Sequence, residues 1–218
     1  MLAAIWPPSP LQNRVTPEGQ LIATPARGTL MGNRGGCFHR ADRTLLSRHW
    51  RTRQWICCLL AFKGRHRRVM SPGHYTELFF LDEATALAAG HRPCFECRRA
   101  DALAFADLWP AQRGGTAVAR PPAPAMDRVL HAERLDPAGG KAVHSARLGE
   151  LPDGTLVRAP GAHLLLGGQL QAWSPSGYGP PVAADPRTTV AVLTPPTIVA
   201  VLRSGYRPRL HDSARLGG

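Results

Sequence analysis

The chain has 218 residues, with 27 Lys and Arg against 15 Asp and Glu, a net charge of +12 and a pI near 10.9. Nearly all of the positive charge is Arg, whose planar fork suits bidentate phosphate contacts, so the composition favours an acidic polymer as partner, and no apolar run is long enough to span a bilayer. Five cysteines, without a basic start or long apolar core at the N-terminus, argue against a disulfide-built secreted scaffold and lead to the expectation of a cytoplasmic protein.

In chain order, residues 1–30 are rich in Pro and polar residues and are expected to be poorly structured. Gly35-Gly36-Cys37-Phe38-His39 follows, and then the apolar run Gln54-Trp55-Ile56-Cys57-Cys58-Leu59-Leu60-Ala61-Phe62, which reads as a buried strand. Neighbouring strand side chains point to opposite faces, so one of Cys57 and Cys58 is expected at a metal and the other in the core, unless a bulge turns both inward. Lys63-Gly64-Arg65-His66-Arg67-Arg68 comes next and reads as a hairpin tip presenting basic side chains.

Residues 79–99 are the most informative stretch. Phe79-Phe80-Leu81 is followed by Asp82, a residue suited to cap a short Ala-rich helix, by Gly90, suited to end it, and by Pro93, which blocks its continuation. Cys94-Phe95-Glu96-Cys97-Arg98-Arg99 then sets two thiols on a tight turn, where both can reach one metal at about 2.3 Å. Cys57 or Cys58 is the expected third ligand and Cys37 or His39 the fourth, with His66, His74 and His91 as weaker candidates. Reduced core thiols are the bland alternative. A thioredoxin-like redox pair is another, although such a pair should open a helix after a strand, and this one follows a helix and a Pro.

Residues 100–109 read as a helix, and Gly and Pro crowd between Arg113 and Pro124 as a connector. Residues 130–135 form a short stretch of helical character. Strands are expected near 151–157, 163–173 and 189–193, with Gly167-Gly168 as a hairpin turn, and a helix from Pro195 to Gly205. The segments 173–180 and 205–213 place aromatic and polar groups in constrained loops, with a pocket lined by Tyr178, Arg207 and His211 as a candidate site. His144 and His163 have no spacing that demands chemistry. The expected architecture is α+β: a small zinc-binding α/β domain at 31–113, a linker at 114–128, and a mostly β domain at 129–218 built as a small barrel or curled sheet.

The segment 78–99, with its aromatic pair, Ala-rich helix and Ala89-Gly90-His91-Arg92-Pro93-Cys94-Phe95-Glu96-Cys97-Arg98, resembles the second half of the Ada-type metal-binding domain of bacterial DNA alkylation repair. That resemblance implies an Ada-like zinc domain that binds DNA, in which four cysteines hold zinc and one thiolate from the first half takes a methyl group from a phosphotriester. Cys94 and Cys97 would be the non-reactive ligands. The first half departs from the family pattern, because no Cys follows four residues after Cys57 or Cys58; Cys37 or His39 would replace the missing ligand.

The positive charge gathers around this segment: residues 1–113 hold 16 basic against 8 acidic residues, and residues 114–218 hold 11 against 7. The resulting expectation is a zinc-dependent nucleic-acid-binding protein acting in DNA repair or damage recognition, with DNA preferred to RNA and no membrane partner. Lys63, Arg65, Arg67, Arg68, Arg98 and Arg99 would contact phosphates. The alternative is an enzyme whose site lies in the C-terminal β domain, with a purely structural zinc. No P-loop, Rossmann glycine pattern or nucleophile elbow is present.

Overall fold

Alternation of buried and half-exposed residues builds the first sheet, and its pairings are mostly non-local. The computed structural model describes residues 10–65, 68–110 and 120–216. The first sheet contains β1 (Gln12–Val15), β2 (Leu21–Ala23), β3 (Leu30–Asn33), β4 (Ile56–Cys58), β5 (Leu78–Phe80) and β6 (Arg92–Pro93), in the order β2-β1-β5-β3-β4-β6. The β1–β5 and β4–β6 pairs are parallel and the others antiparallel. Leu30, Cys57, Leu78 and Phe80 face a core with Val15, Leu21 and Phe38. Gly32 is a residue of β3 at which a Cβ would come within 2.1 Å of the Ile56 carbonyl oxygen, so only glycine allows β3 and β4 this close.

Two expectations are corrected here. Residues 12–23 form the β1–β2 hairpin and 30–33 the strand β3, although the first thirty residues read as poorly structured; pairing of β1 with β5 outweighs the local Pro-rich composition. β3 lies between β4 and β5, so these two strands do not pair and, among the described residues, the basic segment after β4 is not the tip of a β4–β5 hairpin.

The helix α1 (Glu83–Ala88) follows β5 directly. Asp82 accepts a hydrogen bond from the Thr85 backbone N–H at its start, and Gly90, at φ 82°, reverses the chain beyond its end. All six residues of α1 are buried. Its Ala86 packs on the first sheet, Leu87 on the neighbouring helices, and Ala84 and Ala88 on the second sheet. A helix apolar on every side is a core helix, and its alanines let both sheets approach closely.

The remaining helices are α2 (Arg99–Asp107), α3 (Ala123–Arg134) and α4 (Pro196–Arg203). Phe105, Met126, Leu130, Ile198, Val201 and Tyr206 join them around Leu87. Residues 123–128, expected in a linker, are the first half of α3, whose N-terminal Pro has the fixed φ that suits a helix start. The second sheet holds β7 (His144–Arg147), β8 (Leu156–Arg158), β9 (Ala162–Leu166), β10 (Gln169–Ser174), β11 (Gly177–Ala183) and β12 (Thr189–Val192). Its order is β11-β10-β9-β8-β12-β7, an open antiparallel sheet and not a closed barrel. Gly167 and Gly168, both at positive φ, make the two-residue turn between β9 and β10. The molecule is thus mixed α/β with two sheets and four helices among the described residues, and α1 is shared by the cores of both halves.

The buried carboxylates of Asp82 and Glu83 join those halves. Asp82 Oδ2 accepts from the Tyr178 hydroxyl at 2.9 Å and the His211 backbone N–H at 3.1 Å. Glu83 accepts from the Tyr206 hydroxyl at 2.7 Å and the Arg209 N–H at 2.9 Å. Among the described residues no helix is long and apolar enough to cross a membrane.

Candidate metal centre

The register of β4 against β6 positions the site. Cys57 pairs with Pro93, and the Cys94 N–H donates to the Cys57 carbonyl at 3.0 Å, which lays the Cys94–Cys97 turn beside the end of β4. Strand alternation then decides which thiol meets it. Cys57 points into the core, where its sulfur accepts from Arg98 Nη1 at 3.5 Å and burial pushes its thiol pKa up. Cys58 points the other way. The sulfurs of Cys58, Cys94 and Cys97 all lie within 4.8 Å of one another, and they could hold a metal ion. Tetrahedral coordination with bonds of about 2.3 Å requires sulfurs about 3.8 Å apart, so the cluster fits with little adjustment.

Two backbone donors serve these sulfurs: Glu96 N–H to Cys94 and Leu59 N–H to Cys97, each at 3.4 Å. Such bonds spread the negative charge of coordinated thiolates. Without metal, the three thiols share protons. Hydrogen bonds from Cys58 and Cys97 hold the Cys94 thiol well below its usual range, while its bonds to Cys94 and Cys97, together with burial, push Cys58 up. At Cys97 the bond from Cys58 lowers the pKa, but the bond to Cys94 and burial outweigh it and the net shift is upward. The directions favour one thiolate over three, and a divalent cation held by the cluster would favour ionisation of all three.

The outer face of the first sheet floors a pocket of about 680 Å³ beside these sulfurs, with Met31, Ile56 and Phe79 on the floor and Phe62, Val69 and Tyr75 from the long 59–77 connection. Among the described residues no fourth Cys, His, Asp or Glu joins the cluster. A tetrahedral ion held by these three thiols would have one further position facing the cavity.

Several predicted site residues lie elsewhere. Cys37 sits 3.7 Å from His39 Nδ1, which itself lies 2.8 Å from the Thr76 hydroxyl, so neither Cys37 nor His39 completes the metal site. His91 is buried against Trp55 and Phe80 and accepts from Arg34, while His74 is exposed in the long connection. His66 and Arg67 fall outside the described residues. Lys63, Arg65, Arg68 and Arg99 are exposed, with Arg65 paired to Glu96 at 2.6 Å.

Arg98 requires a correction. It is 3 % exposed, its Nη2 lies 2.8 Å from carboxylates of both Glu83 and Asp101, its Nε donates to Asp101 at 2.9 Å and its Nη1 to the Cys57 sulfur at 3.5 Å. It is a core cation and does not reach a phosphate. Of the residues expected to line a C-terminal pocket, Tyr178 and His211 meet at Asp82 Oδ2 through the hydroxyl and the backbone N–H, whereas Arg207 lines a depression of about 260 Å³ with Glu150 and Arg203. Sequence reasoning missed the apolar pocket floor, whose signal was the alternation Ile56-Cys57-Cys58 continued across Met31 and Phe79. No family model, curated protein or solved structure matches the chain.

Proposed function

We propose that Cys58, Cys94 and Cys97 hold one zinc ion, and that this centre belongs to a nucleic-acid-binding protein of DNA repair or damage recognition, with DNA the preferred polymer. The observation that carries the reading is the convergence of three thiols from two distant segments at the wall of an accessible pocket. A set of thiolates selects zinc over hard cations such as magnesium or calcium. The resemblance of residues 78–99 to the Ada-type domain agrees with this placement, and Cys58 would then be the thiolate supplied by the earlier part of the chain, the place from which that family draws its methyl acceptor. Zinc would keep the thiols ionised at neutral pH. Exposed Lys63, Arg65, Arg68 and Arg99, on the segments that carry the cysteines, would meet backbone phosphates.

Metal analysis of the purified protein tests the centre, with Cys58→Ser, Cys94→Ser and Cys97→Ser beside Cys37→Ser. One zinc per chain is expected in the wild type and in Cys37→Ser, with loss in each of the other three. A metal-free, folded wild type would overturn the reading. Titration of the zinc-loaded protein with duplex DNA at several salt concentrations tests the partner; affinity should fall linearly on logarithmic axes, and a salt-independent or undetectable interaction would remove nucleic acid from the proposal. Incubation with methylphosphotriester DNA, followed by mass analysis of the Cys58 peptide, then separates methyl transfer from plain recognition.

A further inference from the structure

A second cavity, of about 690 Å³, shares no lining residue with the metal pocket. Its walls come from the β1–β2 turn, from Arg34 just beyond β3, from residues 47–50, from Trp55, and from the end of α3 with the loop that follows it. Five cations line it, namely Arg34, Arg48, Arg134, Lys141 and Arg158, against the single acid Glu18. This volume suits a small-molecule ligand.

The deepest of these cations lack counter-charges. Arg34 is 3 % exposed and Arg134 1 %. Arg34 donates to Gly19 O at 2.9 Å and His91 Nε2 at 3.3 Å; Arg134 donates to Gly90 O at 2.9 Å and Arg53 O at 2.7 Å, while its Nε has no partner. Lys141 donates to the Ala88 carbonyl. Among the described residues none of the three forms an ion pair with a carboxylate. The contrast with Arg92 is instructive: it is equally buried, and Asp127 meets it with two hydrogen bonds of 2.8 Å. Neutral carbonyls and the Trp55 ring, about 4 Å from both guanidinium carbons, soften the cost of burial but cancel no charge. Burial first, and repulsion from Arg34 next, hold Arg134 down to about 8 and Lys141 to about 7; burial alone lowers Arg34 to about 9. Such a site is short of negative charge.

The mouth adds a planar element. Arg48 is exposed, and its guanidinium stacks 3.8 Å from the centre of the Trp50 ring. Stacked Arg and Trp planes are a common platform for a base. We infer that this cavity binds a nucleotide, free or at the 5′ end of a strand, with its phosphate against Arg34, Arg134 and Lys141 and its base against Arg48 and Trp50. This site stands independently of the function proposed for the metal centre.

The test is calorimetry and thermal unfolding of the full zinc-loaded chain with adenosine monophosphate, adenosine, and a short oligonucleotide with or without a 5′-phosphate. The monophosphate should bind and raise the melting temperature, and adenosine should do neither. The stronger of the free nucleotide and the phosphorylated oligonucleotide identifies the natural source. Lys141→Gln should weaken binding by roughly tenfold or more, since it removes one charge-assisted hydrogen bond. Its own melting temperature should stay level or rise, because the lost cation was unpaired. Arg48→Ala tests the platform at an exposed position, and Cys94→Ser should leave nucleotide affinity unchanged if it folds. Absence of binding by either phosphorylated compound at millimolar concentration, equal binding of adenosine, or an unaltered response in Lys141→Gln would overturn the proposal.

Discussion

Arg98 and Arg99 are adjacent in sequence and carry the same charge, yet Arg98 is buried beside carboxylates and Arg99 is exposed, and alanine replacement separates the two positions. Arg98→Ala removes a buried cation from between Glu83 and Asp101 and ends its contact with the Cys57 sulfur. Glu83, 1 % exposed, keeps the Tyr206 hydroxyl and the Arg209 N–H but loses its only ion pair among the described residues. Removing one partner from a buried pair costs about 3–5 kcal/mol. For a chain of this size each kcal/mol lowers the melting temperature by roughly 2–4 °C, so the expected fall is roughly 6–20 °C. Arg99→Ala, at an exposed position, should change stability by no more than about 0.5 kcal/mol. Thermal unfolding of both variants at equal zinc loading, with DNA titrations in parallel, reads the difference. An unchanged melting temperature in Arg98→Ala together with weakened DNA binding would refute the assignment of Arg98 to the core.

Other consequences can be checked alongside. Cys57→Ser should lower stability, since it places a hydroxyl in the core, yet retain zinc, whereas Cys58→Ser should lose zinc; metal analysis after mild heating distinguishes them. Tyr178→Phe removes the hydroxyl that donates to buried Asp82, and should cost about 1.5–3 kcal/mol by chemical denaturation. Gly90→Ala should cost at least about 1 kcal/mol, because φ is 82° there and a Cβ would come within 2.7 Å of Arg134. The free protein should also grow more stable as pH rises from about 7 toward 10.5, the window between the folded and ordinary values of Lys141. Within it the unfolded chain holds a proton that the folded chain does not; below it both are protonated and the contribution is flat. Burial, then Arg34, Arg134 and Arg158, lower this group while Glu18 raises it, so Lys141→Met should flatten the profile in urea unfolding measured across that range.

The features legible in the sequence are those whose physics is local. Asp82 and Gly90 bound α1, the Gly167-Gly168 pair turns the β9–β10 hairpin, and Pro196 opens α4, each through backbone preferences spanning a few residues. The Cys94–Cys97 spacing belongs to the same class, as does the inference that Cys57 and Cys58 must part company on a strand. Which of the two faces the turn was decided by the pairing of β4 with β3 and β6, for a slip of one residue would exchange their faces. Tertiary structure alone also recruited residues 12–33 into the sheet, buried Arg98 while leaving Arg99 in solvent, and brought Arg34 to the cavity lined by Arg134 and Lys141 from the end of α3 and its following loop. Local preferences act through neighbouring residues, whereas burial and counter-charge depend on what the rest of the chain brings alongside.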